Sequence, residues 1–296
     1  MKLKVWGTRG SYPVCRSDVM RYGGNTTCFE LRTASEHLVI DGGSGIAPLG
    51  RHLTSDCQGP TQLQLFLTHP HWDHVLGYPY FRPFYDARFD ITIHGPDSET
   101  KTLEDIFSTQ HKAGNFPVPF QELRANITLK RLDPGAVIRR GDLEVSSLQL
   151  NHPGIDLGYR FQSDGACAIL LTDLAPIGDN YLGDGMTRLA EENPRAFEQD
   201  HYSALVDFVK GADLVLHDTN FTEEEIVGKR HWGHSTPDDA LKLLRHYDAP
   251  PALVLTHHDP DHSDEIMDTI YEETKKKGKE LGVEVLIAKE GEVFDL

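Results

Sequence analysis

Residues 61–74 read TQLQLFLTHPHWDH. An apolar run ends, and the next few positions hold His69, His71, Asp73 and His74. Buried histidine and aspartate are costly unless paired or bound to a metal, and in α/β architectures binding sites collect at the carboxyl ends of strands. In extended chain residues i and i+2 point the same way, so His69 and His71 converge on one ion. If the chain then turns into a helix at WDHVLGY, Asp73 and His74 swing toward a neighbouring point, and half of each of two adjacent sites is built. Imidazole with carboxylate suits zinc, and also iron or manganese where the carboxylate share is larger.

The same ending recurs along the chain in LVIDGG, LQLNHPG, AILLTD, LVLHD and LVLTHHD. One aspartate after a strand reads as a turn former or helix cap. Together with HxHxDH, strand ends bearing Asp41, His152, Asp173, His217, Asp218 and His257 read as the rim of a site. His152, Asp173 and His257 are the ligands available to complete the two half-sites. Asp173 is the candidate bridge between two ions about 3.5–4 Å apart.

At 296 residues the chain lies near the upper end of one α/β domain, and a single domain over 1–296 is expected. Lys+Arg 29 against Asp+Glu 46 leaves a net charge of −17, a field that repels polyanions. Nucleic acid would need a local basic patch, and the run KKKGK at 275–279 reads as a solvated helix end. No apolar stretch reaches the roughly 20 residues that span a bilayer, and MKLKVWGTRG lacks the apolar region of a signal peptide, so a cytoplasmic location is expected. Cys15, Cys28, Cys57 and Cys167 form no CxxC, which suits a reducing compartment and leaves any metal to histidine and carboxylate.

Apolar Val/Ile/Leu runs alternate with helical patterns, which predicts an α/β class. Strands are predicted at LKVWG, CFELRT, HLVIDG, LQLFLT, ITIHG, ITLKRL, VIRRG, LEVSSLQL, GYRFQ, AILLTD, LVLHD, LVLTH and VEVLIA. Helices are predicted around 44–53, 99–110, 186–209, 237–247 and 264–281, the last two opened by Thr236-Pro237 and by Ser263. SDG at 163–165 and PG at 134–135 signal turns, and GNFPVPF at 114–120 reads as a loop positioned to act as a lid.

The order HxHxDH, His152, Asp173, His257 resembles the metallo-β-lactamase superfamily over nearly the whole chain. The resemblance implies a four-layer αββα sandwich with a dinuclear site at the edge of its two sheets. On it, His69, His71 and His152 hold one metal, Asp73, His74 and His257 hold the other, and Asp41 stands behind them. HDTNF at 217–221 and GHST at 233–236 resemble paired motifs of the ribonuclease Z and cyclic phosphodiesterase branch. There an acidic residue, here Asp218, orients a histidine, here His234, that protonates the leaving oxygen; Asp73 completes the implied catalytic set. Read without the family, His234 is a residue flanking the cap at Thr236, and His217 a packing residue. The opening GTRGSYPV and RYGGNTTCFEL resemble a bacterial group of that branch. Its glycines read as tight turns, or as turns bringing backbone N–H groups, with Arg9 or Asn25, onto a phosphate. The family also implies a homodimer.

A Gly/Pro-rich basic insertion like the tRNA-gripping arm of ribonuclease Z is not evident. The reading is therefore a metal-dependent phosphodiesterase that uses a dinuclear metal-activated hydroxide, with two divalent ions, zinc first and manganese or iron next. Its expected substrate is a small phosphodiester, a cyclic one first, with nucleic acid the less favoured partner. An RNA endonuclease, a carboxylic-ester, lactone or thioester hydrolase, and a non-catalytic binding module are the other readings.

Overall fold

The computed structural model describes residues 1–98, 100–112, 114–176 and 194–296, with side chains of the stretch after 193 described from residue 201. Among these, fourteen strands form two seven-stranded sheets. Numbered along the chain, the first sheet runs β14 (Val293–Asp295), β1 (Lys2–Gly7), β2 (Cys28–Arg32), β3 (His37–Ile40), β4 (Thr61–Phe66), β5 (Phe89–Gly95), β6 (Asn126–Arg131). The second runs β13 (Val285–Ile287), β12 (Ala252–Thr256), β11 (Leu214–Asp218), β10 (Ala166–Leu171), β9 (Leu157–Ser163), β8 (Leu143–Gln149), β7 (Val137–Arg140). β3 through β6 pair in parallel, as do β10 through β13, and the remaining pairs are antiparallel.

Side-chain parity explains the layering, because successive residues of a strand face opposite sides. In β3, Leu38 and Ile40 join the core between the sheets while Val39 packs outward. In β10, Ala168 and Leu170 face inward and Ile169 and Leu171 outward, and β12 repeats this with Val254 against Leu253 and Leu255. The outer face of the first sheet is covered by α1 (Ile46–Asp56) through Ile46, Leu49 and Leu53, and by α3 (Leu103–Gln110) through Leu103, Ile106 and Phe107. The outer face of the second is covered by α4 (Pro194–Val209), α5 (Pro237–Leu244) and α6 (Asp264–Leu281), which contribute Leu205, Leu241 and Met267 among others. The short α2 (Trp72–Val75) follows β4. This is the expected α/β sandwich of helix, sheet, sheet, helix.

Every strand read from the sequence is present, with ends displaced by up to a few residues. β14 has no counterpart in that reading: it is short and lies at the sheet edge beside β1, Lys2 opposite Asp295. α3 starts at Leu103, later than the predicted 99, because Thr102 and Asp105 close a capping box there. Glu99 and the predicted helical positions 186–193 lie outside the described residues. α5 opens as predicted, Thr236 capping Asp239 with Pro237 following, and stops at Leu244. Asp164 and Gly165, both at positive φ (51° and 83°), make the tight turn joining β9 to β10. The loop at 114–120 sets Phe116 edge-on against Tyr80 and His111.

Candidate metal centre

The site forms where parallel strands of both sheets end. Asp41 follows β3, His69 follows β4, Asp173 follows β10, Asp218 closes β11 and His257 follows β12. Asp41 and His257 both sit at φ 59°, a left-handed conformation that is uncommon for these residues and that clusters at functional sites. Ligand atoms of His69, His71, His152 and Asp173 lie within 4.8 Å of one another, and so do those of Asp73, His74, Asp173 and His257. Two groups of four therefore share one aspartate.

Asp173 spans the pair. Its Oδ2 lies 3.6 Å from His69 Nε2 and 3.7 Å from His152 Nε2, and its Oδ1 lies 3.2 Å from His74 Nε2 and 3.1 Å from His257 Nε2. His152 Nε2 is 3.1 Å from His71 Nδ1, and Asp73 Oδ2 is 3.4 Å from His74 Nε2 and 3.2 Å from His257 Nε2. Ligand atoms about 2.0–2.2 Å from a common ion lie roughly 3.3–3.6 Å apart at the tetrahedral angle. His69 Nε2, His74 Nε2 and Asp173 Oδ1 are buried without a hydrogen-bond partner, a costly state that a cation removes. The donor set of imidazoles and carboxylates fits a pair of divalent metals.

The second ring nitrogens of His74 and His152 are hydrogen-bonded from behind. Asp41 Oδ2 lies 2.8 Å from His74 Nδ1, and its Oδ1 accepts from the Thr68 N–H. His152 Nδ1 donates to the Gly233 carbonyl at 2.9 Å. Only glycine fits there: φ is +91°, and a Cβ would stand 2.4 Å from that same nitrogen. His69 Nδ1 is 3.2 Å from Asp156 Oδ1, a wholly buried carboxylate that sequence reasoning missed because no motif surrounds it.

Burial lowers the pKa values of His69, His71 and His152, the last to about 3, so these rings offer lone pairs at neutral pH. Burial opposes ionisation of Asp73 and Asp173, but the surrounding histidines outweigh it and hold both well below the carboxylate range. His74 goes the other way: burial lowers it, yet Asp173, Asp73 and Asp41 lift it well above the ordinary value. A metal held at Nε2 would take the place of that proton, which its binding would release.

Beside the shared aspartate, His234 Nδ1 lies 2.8 Å from Asp218 Oδ2 and 4.0 Å from Asp173 Oδ2. Asp218 is itself fixed by the N–H groups of Leu174 and Asn220. Burial lowers the pKa of His234, but the charge and hydrogen bond of Asp218 win and raise it to about 9. His217, the neighbouring candidate, is buried against the Asp218 carbonyl at 2.7 Å and joins neither group of four.

The N-terminal stretch closes the site by close approach. A Cβ on Gly10 would lie 2.4 Å from the His257 ring, and the next residue, Ser11, donates its N–H to Asp73 Oδ2 at 2.8 Å. The glycine thus serves backbone proximity, whereas Arg9 and Asn25 are used internally. Arg9 is fully buried, its guanidinium donating to the carbonyls of Gly23, Asp259 and His262. Asn25 is held by Glu290 and Ser44. Both side chains tie loops together instead of facing a phosphate.

No family model matches the chain. Ribonuclease Z of Haloferax volcanii is 28% identical over 249 residues, covering 70% of this chain and 75% of that protein. Ribonuclease Z of Natronomonas pharaonis is 24% identical over 289 residues, covering 87% and 86%. Among solved structures, the metallo-β-lactamase fold protein YhfI from Bacillus subtilis superposes with a TM-score of 0.68 at 17% identity, covering 99% of each chain. A diphosphatase from the PhnP family gives 0.64 at 17% identity, covering 100% and 97%. Two stacked mixed sheets with flanking helices are those of the metallo-β-lactamase fold, and the ribonuclease Z relatives indicate a metal-dependent hydrolase. The chain is similar in sequence to ribonucleases Z and shares the fold of the metallo-β-lactamase proteins. Among the described residues no helix is long and apolar enough to cross a membrane.

Proposed function

We propose that the protein is a phosphodiesterase acting on a small phosphodiester, with a cyclic phosphate as the preferred class. The observation that carries this is the Asp218–His234 pair set beside the carboxylate shared by two metal-ligand groups. His69, His71 and His152 would hold one divalent ion, zinc first by donor type, and Asp73, His74 and His257 the other, with Asp173 between them. When bound, such a pair supplies Lewis-acid polarisation of phosphoryl oxygens and makes water more acidic. Asp218 keeps the Nδ1–H of His234 and leaves Nε2 as the acid that meets the departing oxygen. A histidine raised to about 9 is protonated at neutral pH, as that role needs.

The names of the curated relatives support a second reading, RNA cleavage. The net charge of −17 weighs against a polyanionic substrate, which ranks the small diester first.

The test separates proton donation from binding. An alkoxide needs a proton to leave, and a nitrophenolate does not. His234→Ala is expected to lower kcat on a cyclic nucleotide by roughly 10²–10⁴-fold while hydrolysis of bis(p-nitrophenyl) phosphate falls far less. Asp218→Asn should show the same pattern more weakly, with metal content unchanged in both. Equal losses on the two substrates with metal retained would overturn the role of His234.

A further inference from the structure

Alternation along the metal-binding loop leaves two residues unused. In HPHWD, His69, His71 and Asp73 supply ligand atoms, while Pro70 and Trp72 stand between them. Trp72 is 71% exposed and presents an amphipathic aromatic face to solvent. It forms one wall of a cavity of about 90 Å³ whose other sides are Pro70, Val75 and α3, through Lys101 just before the helix and Ile106, Thr109 and Gln110 on it. Val75 and Ile106 give that cavity an apolar floor. Gln110 Oε1 is buried without a donor, and Lys101 is exposed.

We infer that this groove is a nucleobase subsite: a planar heterocycle stacks on Trp72 and meets the Gln110 carboxamide with its polar edge. This rests on the phosphodiesterase reading and names the substrate class as a nucleotide. The indole offers a stacking face that any base satisfies, and a carboxamide hydrogen-bonds a base edge. An ammonium at the mouth suits the phosphate that a base carries with it. Pro70 and Trp72 belong to the same loop as His69, His71 and Asp73, and His71 is the exposed member of its group, so the groove adjoins the segment that carries the ligands.

The experiment uses the full-length, metal-loaded protein with two substrates, a cyclic purine mononucleotide and the same cyclic ribose phosphate without its base. Two variants act on the groove from opposite walls: Trp72→Ala removes the stacking face, and Thr109→Trp fills the space from α3. Both are expected to raise KM for the purine substrate by roughly 5- to 100-fold, the fold-change of one stacked base, and to leave kcat and the base-free substrate within about twofold. Trp72→Phe should restore most of the loss. Adenosine monophosphate should quench tryptophan emission in the wild type and much less in Trp72→Ala. Metal per chain, measured in each variant, must equal the wild-type value. If purine and base-free substrates behave alike in the wild type, or the variants slow both equally with metal retained, the groove holds no base. If the protein cleaves neither substrate while Trp72-dependent quenching persists, the phosphodiesterase reading fails and the subsite stands. If it cleaves both without quenching or a KM change in the variants, the subsite fails and the phosphodiesterase reading stands.

Discussion

Asp156 has no hydrogen-bonding partner on either carboxylate oxygen although it is wholly buried, and it stands 3.2 Å from His69 Nδ1. The hydrogen-bond partner of that nitrogen is Thr68 Oγ1 at 3.1 Å, and a carboxyl group beside it adds a second acceptor that favours turning the other nitrogen toward a metal. Asp41 holds His74 directly, its Oδ2 hydrogen-bonded to His74 Nδ1 at 2.8 Å. The two carboxylates thus serve different halves of the centre. Asp156→Asn is expected to weaken metal at the His69 group by roughly 10–100-fold and Asp41→Asn to do so at the His74 group, as read by stepwise metal titration. If either variant weakens both steps equally, that division is wrong. Gly233→Ala carries a related expectation, because the new methyl must displace the His152 ring from 2.4 Å at a φ of +91°. It should lose metal from the His69 group while circular dichroism stays native.

Between elements, Glu30 shows how a buried charge is used to hold a sheet. It lies on β2 and accepts from Trp6 of β1 at 2.8 Å and Arg32 at 2.7 Å, and it lies 2.8 Å from the His37 ring of β3, so one carboxylate ties three strands. Burial raises its pKa, but the bonds from His37, Trp6 and Arg32 prevail and lower it from 4.5 to about 2. Between those two values the unfolded chain binds the proton more tightly, so stability rises with pH there and is lost as pH falls from about 4.5 toward 2. Melting temperature followed across that window should drop more steeply for the wild type than for Glu30→Gln. The variant should also be the less stable protein at pH 7. Parallel curves would remove Glu30 from the account of acid stability.

At the scale of the molecule, the net charge of −17 surrounds a centre meant for cations, which favours metal uptake and opposes polyanions. A small diester carries one charge and feels this field weakly, whereas structured RNA carries one per phosphate. At physiological salt, kcat/KM on a cyclic mononucleotide is expected to exceed that on precursor tRNA, and added salt should narrow the gap by screening. Faster turnover of the tRNA would reverse the ranking of substrates. The centre itself belongs to neither sheet: Asp41 and His69 come from one, Asp173, Asp218 and His257 from the other. The core between the sheets, where Phe66 packs edge-on against Tyr159 and Phe161, therefore lies between the two sets of residues that form the centre.

The apolar runs, their parity and their polar endings were legible in the chain because each depends on residues a few positions apart. HxHxDH announced the metal chemistry for the same reason, and the later strand ends supplied His152, Asp173 and His257, which the fold brings to one place. Sequence could not determine what depends on distant backbone meeting backbone. Gly10 is needed only because its loop crosses His257, β14 exists only because β1 offers a free edge, and Asp156 matters only because the chain after His152 returns to His69. Arg9 and Asn25 looked free to bind phosphate until the carbonyls of Gly23, Asp259 and His262 and the side chain of Glu290 closed around them. Short-range periodicity is written in the residues themselves. The partner of a buried polar atom is decided by packing between segments far apart in the chain.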